Sequence, residues 1–342
     1  MIRTIVPVAL ALALALGCGK KAEHSGPAAE VTGLAAVPST AEAVIGADVA
    51  KLAASPIIER AIDQLVVRDA KLAASWQRLR EGCTIDVAKQ IKRVLLVLGP
   101  VATGGAAGTG PTLLIATGTI AETELSDCIG KFAGKGGGSV TGKDVSGHTV
   151  YQVKDGPRSM YYAFGRPDTV VLGTSEAYVI EAIGPGKKAL DHPELAGWLK
   201  LVDQNAPVWS VGRVPSVVAL GLVKVVPDLK TGPVGFLGST DPTHGLKLAL
   251  GVVMASAEDA KKLESFANDQ KKVMTMVAQA KSLGVWANKL SFESNGSIVW
   301  MRAPLEMEDV NHLLSVLDGA GSPTQDSPLP TSSGSSTGAP QH

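Results

Sequence analysis

HTVYQVKDGPRSMYYAFGRPDTVVLGT, residues 148–174, holds three apolar segments separated by short polar connections. His148–Val153, Ser159–Phe164 and Thr169–Thr174 have the length and content of strands. Connections this short favour antiparallel hairpins, because a parallel crossover needs a dozen residues or more. This stretch therefore points away from a parallel α/β architecture and toward an antiparallel sheet.

Working outward, the same grammar recurs. Upstream lie strand candidates at Ala43–Val49, Val94–Leu98 and Thr112–Thr117, with helical spacing from Pro56 behind an N-capping Ser55 and again over Ala70–Arg80. A short helix from Glu122 carries Cys128, and another runs from Ser175 to Ile183. After a short helix at Pro193–Leu201 a similar order restarts: strand Val208–Gly212, apolar helix Pro215–Val226, strands Gly235–Gly238 and Leu246–Met254. A long helix then begins behind Ser256, with Asp259 at the matching position of a capping box, and is expected to stop at Gly284. Strands Lys289–Glu293 and Ile298–Ala303 and a helix from Glu306 to Leu317 follow. The expectation is an α+β fold: antiparallel sheets with helices packed on one face, in two topologically similar halves. The divisions are a signal segment 1–17, a flexible tether 18–35, halves 36–205 and 206–318, and a Ser/Pro/Gly-rich tail 319–342 read as disordered.

Of the 342 residues, 45% are hydrophobic and 4% aromatic, and 32 Lys+Arg balance 32 Asp+Glu. Such a chain can fill a core, but it lacks the basic excess of a nucleic-acid binder and offers few stacking platforms, so no nucleic-acid partner is expected.

At the N-terminus, Arg3 precedes an apolar run from Ile5 to Leu16 that ends in Ala15-Leu16-Gly17-Cys18. The run is signal-peptide length and too short to span a bilayer. The pattern has the form of a lipobox, with cleavage between Gly17 and Cys18 and lipid on Cys18 as the membrane partner. By resemblance to the lipoprotein sorting rules of enteric bacteria, Gly19 after the cysteine implies the outer membrane. Outside the inner membrane thiols are oxidised, so Cys83 and Cys128 are expected to pair, closing a loop of about 45 residues.

No catalytic set emerges. Gly137–Lys143 has phosphate-loop spacing, but Asp144 stands where a hydroxyl should meet magnesium, so the stretch reads as a flexible hairpin loop. The serine-elbow match at Gly334-Ser336-Gly338 lies in the tail, and Ser175 reads as a helix cap. His148, His192 and His244 sit in turns, and the tryptophans lie in or beside apolar elements and read as core. No catalytic, metal or cofactor residue is assigned and no cofactor is expected. Clustering of a turn histidine with carboxylates in a cleft would instead favour an enzyme.

The ALGC-GKK start and the opening P-x-T-A-E-A-V-I-G-A-D-V-A-K-L of the body resemble the uncharacterised predicted lipoproteins common in myxobacteria. The resemblance implies a lipid-anchored envelope protein and no particular chemistry. The functional expectation is a non-enzymatic scaffold or interaction protein with an envelope protein partner. The alternative is a binder of lipid or another apolar ligand in a cavity between sheet and helices.

Overall fold

The computed structural model describes residues 31–320, apart from 69–73, 75–76, 78–82, 84–85, 102–108, 136, 146, 166–167 and 281–283. The signal segment with Gly17 and Cys18, the tether up to residue 30, nearly all of the 70–80 helical run, and the tail from 321 lie outside the described residues. The elements begin with β1 (Ala43–Asp48), α1 (Val49–Ala53), α2 (Pro56–Arg68), α3 (Val87–Gln90), β2 (Ile91–Leu98) and β3 (Thr112–Gly118). Next come α4 (Glu122–Lys135), β4 (Ser139–Val145), β5 (His148–Asp155), β6 (Arg158–Gly165), β7 (Thr169–Gly173), α5 (Glu176–Ile183) and α6 (Pro193–Leu199). The remainder is β8 (Val208–Arg213), α7 (Ser216–Val225), β9 (Pro233–Asp241), β10 (Leu246–Met254), α8 (Ala257–Ala280), α9 (Gly284–Lys289), β11 (Ser291–Asn295), β12 (Ile298–Leu305) and α10 (Met307–Ala320).

Two compact units result. Residues 31–49 group with 69–197, and 50–68 group with 198–320. The first unit orders its strands β1-β2-β3-β7-β6-β5-β4 and the second β8-β9-β10-β12-β11. Within each unit neighbouring strands are antiparallel. The plan is shared: a three-stranded meander, a helix, then strands that return so that the last one docks on the third. β7 pairs with β3 in one unit and β12 with β10 in the other. The first unit adds two strands to this plan, and each unit closes its sheet with a helix, α5 or α10.

The register places Val97, Leu113, Ile115 and Val171 on one face of the first sheet, and all four are fully buried. They lie on the face covered by α5, whose Val179 is also fully buried. Gly173 permits this approach: a Cβ there would stand 2.8 Å from the Val179 side chain and 2.6 Å from Leu113. Tyr162 falls on the opposite face, stacked on Tyr151 with ring centroids 4.6 Å apart, and donates to the Ser126 hydroxyl of α4 at 3.3 Å. The helices of this unit therefore divide between the two faces of its sheet.

In the second unit α1 lies against one face of the sheet, while α2 and α7–α10 share the other. Leu290, Ala303, Leu305 and Val310 form one cluster there, joined by Ile57 of α2 and by Leu248. Val226, Met254, Ala260, Leu263 and Val299 form another beneath α7 and α8. Burying these chains removes most of their apolar area from water, about 1.5–3 kcal/mol for each large aliphatic residue.

Two local expectations are corrected. The 139–145 stretch is not a flexible loop but β4, an edge strand paired with β5; its side chains are mostly exposed, so it carries no apolar alternation to read. Gly284 is itself helical, the first residue of α9, in which Trp286 packs on the Leu290 cluster and Ala287 is buried. Burial there outweighs glycine's poor helix propensity.

Candidate functional site

A cavity of about 1010 Å³ lies in the second unit, on the sheet face opposite the Leu290 and Val226 clusters. Register explains its walls. Directly opposed residues share a face, and Asp241 pairs with Lys247, Lys247 with Pro304, and Ala249 with both Ser239 and Arg302. These side chains form one wall, and α1 with the 203–207 turn forms another.

The rim is fixed by local bonds. Asp241-Pro242-Thr243-His244-Gly245 is the β9–β10 turn, and Gly245 takes φ +106°, which a side chain would strain. The Asp241 carboxylate accepts the Thr243 hydroxyl at 2.5 Å and the Thr243 N–H at 3.0 Å. These two bonds, the hydroxyl first, hold its pKa below the ordinary carboxylate value. His244 Nδ1 lies 3.0 Å from the same hydroxyl. Buried Ser55 donates to the Pro242 carbonyl at 2.7 Å and receives the Ile58 N–H at 3.4 Å, so one hydroxyl caps α2 and pins the turn. Lys51 Nζ donates to the Asn205 carbonyl at 2.6 Å, tying α1 to the 203–207 turn within one wall. Arg302 pairs with Glu293 at 3.2 Å and lies 5.6 Å over the Trp300 ring.

A cavity of about 290 Å³ in the first unit is lined by His148, Glu122 and Asp168. Each is occupied structurally. His148 is buried with Nδ1 3.2 Å from the Phe164 carbonyl, Glu122 accepts from Tyr151 at 3.0 Å, and Asp168 accepts from Thr169 at 3.1 Å. His148, which opens β5 as a buried strand residue rather than sitting in a turn, and His244 of the β9–β10 turn thus line cavities together with carboxylates, a juxtaposition that sequence spacing did not reveal. No group of three His, Cys, Asp or Glu among the described residues could hold a metal ion.

Cys83 and Cys128 lie at disulfide distance, with Cα atoms 4.9 Å apart, so the pair named from sequence is brought together. Ser175 occupies the N-cap of α5 without a side-chain bond to it. Half of the capping box at α8 forms: Ser256 accepts the Asp259 N–H at 3.1 Å. The Asp259 carboxylate instead takes the Thr231 hydroxyl at 2.6 Å and the Lys230 N–H at 3.2 Å, and the Thr231 bond leads in lowering its pKa. Trp198 and Trp209 are buried, as expected of core residues, whereas Trp300 lies beneath Arg302.

No family model matches the chain. No curated protein matches it either. Among solved structures the chain is similar to crystal form I of TP0453, at 9% identity and a TM-score of 0.44, over 86% of this chain and 99% of that one.

Proposed function

We propose that the chain is a lipid-anchored cell-envelope protein, held to the outer membrane through Cys18, that acts as a scaffold or interaction protein rather than as an enzyme. The observation that supports binding over catalysis is the commitment of the cleft's polar groups. Asp241, His244 and Lys51 are engaged in bonds that build the cleft's own walls. What remains toward the cavity is largely small and apolar: Ala50, Ala54, Pro207, Ala249 and Pro304. The anchor is tested by feeding cells labelled palmitate. The chain should take up label and Cys18→Ala should abolish it; an unlabelled wild-type chain would overturn the anchor.

The cleft supports a second reading, a binder of an anionic amphiphile. Its volume of about 1010 Å³ lies at the upper end of small-molecule sites, roughly 300–1,000 Å³. Its apolar floor adjoins the cations Lys247 and Arg302, the latter paired with Glu293, beside the carboxylates of Asp203 and Asp241. It lies between the sheet and α1, on the face opposite the Leu290 and Val226 clusters. Oleate serves as the probe. Saturable binding lost in Ala249→Trp, which fills the cleft, is the expected result; equal binding by both proteins would remove the reading.

A further inference from the structure

The helix α7, SVVALGLVKV, reverses the usual arrangement of a surface helix. Such a helix normally turns polar residues to water. Here Val217, Val218, Leu220 and Val225 are 70%, 54%, 62% and 63% exposed, and no residue of the helix is buried. At 100° per residue these four, with Gly221 and Lys224, cover an outward arc of roughly 160°. Lys224 is its one charge.

The helix cannot rotate to hide this arc. Its inner side is held by Leu222 and Val223 packed on the Val226–Leu263 cluster. Gly232 approaches so closely that a Cβ there would stand 2.6 Å from the Ala219 carbonyl.

We propose that the outward face of α7 lies in the interface of a lipid bilayer. The inference rests on the anchor proposed above. Thirteen residue steps separate Cys18 from Val31, at most about 45 Å of extended chain. A lipid on Cys18 would therefore keep a bilayer within reach at high effective concentration. No acidic residue occurs between Gln204 and Pro227, whereas Arg213 and Lys224 do, so anionic headgroups meet no fixed negative charge from this segment. Lys224 can extend its ammonium to the headgroups while its stem stays with the valines. Ten residues make a helix about 15 Å long, half of what spans hydrocarbon, so it lies in the plane of the interface. The same length argues against a second copy as occupant. One helix face of about 15 by 10 Å is several-fold smaller than the roughly 800 Å² per partner of a stable interface.

The test places an environment-sensitive NBD label on V217C, and on K135C as an exposed control in the first unit, using mature protein purified from cells. With Cys83 and Cys128 bonded and Cys18 acylated, the introduced thiol is the one that reacts. Vesicles of phosphatidylethanolamine and phosphatidylglycerol are the partner, with and without doxyl-labelled lipid. The expected result is a blue shift and doxyl quenching at position 217, neither at 135, and at least a tenfold loss of vesicle affinity in the unacylated body on V217D/L220D with its circular dichroism unchanged. A water-like spectrum at 217 on vesicle-bound protein overturns the proposal. So does a blue shift that follows protein concentration and resists doxyl quenching, the signature of a second copy. The mass of the N-terminal peptide reports lipid on Cys18 separately. If it carries none the anchor fails, and the added protein, with Cys18→Ser so that position 217 alone takes the label, must still show shift and quenching at 217 for the helix assignment to stand.

Discussion

Removing the Cys83–Cys128 link should lower stability by an amount that loop length sets. The two cysteines are 45 residues apart in sequence. In the chain-entropy model a loop of about 45 residues restrains the unfolded chain by roughly 13 cal/mol/K, or about 4 kcal/mol at 25 °C. For a domain of 150–250 residues each kcal/mol moves the midpoint by about 2–4 °C, so the loss is roughly 10 °C. The perturbation is Cys83→Ser with Cys128→Ala, since Cys128 is buried on α4 and tolerates a small apolar replacement better than a hydroxyl. Scanning calorimetry of the oxidised protein, the reduced protein and the double variant is the assay. Reduction and substitution should give the same fall, and each single variant should match the double, because losing either thiol removes the whole cross-link. A fall below about 1 kcal/mol, or single variants that add, would refute the loop-entropy account.

Gly235→Ala would set a Cβ 2.6 Å from the Trp198 ring, which is buried and cannot give way; a loss of about 1–3 kcal/mol is expected by urea unfolding, and an unchanged midpoint would show that the ring moves. Asp241, Asp259 and Asp309 are held below the ordinary carboxylate value, chiefly by bonds from Thr243, Thr231 and Lys289 respectively. Because their folded pKa values lie below the unfolded ones, the stability they contribute is complete above about pH 4 and is lost as pH falls through the folded values; a urea midpoint that rises on acidification from pH 5 to 2 would contradict this. Tyr178 is buried, the Thr40 hydroxyl near it donates instead to Glu181 and makes no hydrogen bond of good geometry to the phenol, and burial pushes the Tyr178 pKa up to about 12. Tyr178→Phe should therefore be neutral or stabilising by up to about 1 kcal/mol, and thermal destabilisation beyond that would reveal a partner for the hydroxyl. Replacing Lys188, which donates to the Glu181 and Ala182 carbonyls at 2.6 and 2.8 Å, with Ala should cost about 1–3 kcal/mol by losing the C-terminal cap of α5, and an unchanged melting curve would count against that capping role.

The sheets were legible because hairpins are local. Residues 148–174 carry both their strands and their turns within one window, and β5, β6 and β7 pair as that reading requires. The cysteine pair was legible for a chemical reason: an oxidising compartment was expected from the sequence, and there two thiols pair. What sequence left hidden depends on what lies across space. β4 has an exposed, featureless pattern, and only its ladder to β5 makes it a strand. Asp259 has the spacing of a capping box, yet its carboxylate is used by Thr231, 28 residues upstream. The cleft joins strand ends with the 203–207 turn, so no single stretch carries its signature. The apolar pattern of 216–225 looks the same whether the valines face a core or face out, and periodicity cannot tell the two apart.

That α2 belongs to the second unit has a consequence for how the chain is made. Ile57 packs among Leu290, Ala303 and Val310, and Ser55 holds the Pro242 carbonyl, yet residues 69–197 intervene in the chain. Synthesis at 5–20 residues per second puts that interval at roughly 6–25 s. The helix is thus among the first parts of its unit to emerge and among the last to find a partner, with its apolar stripe open to chaperones meanwhile. A fragment cut at residue 197 would inherit the second sheet without the helix that covers it, so the unit has to be expressed with 50–68 spliced back on.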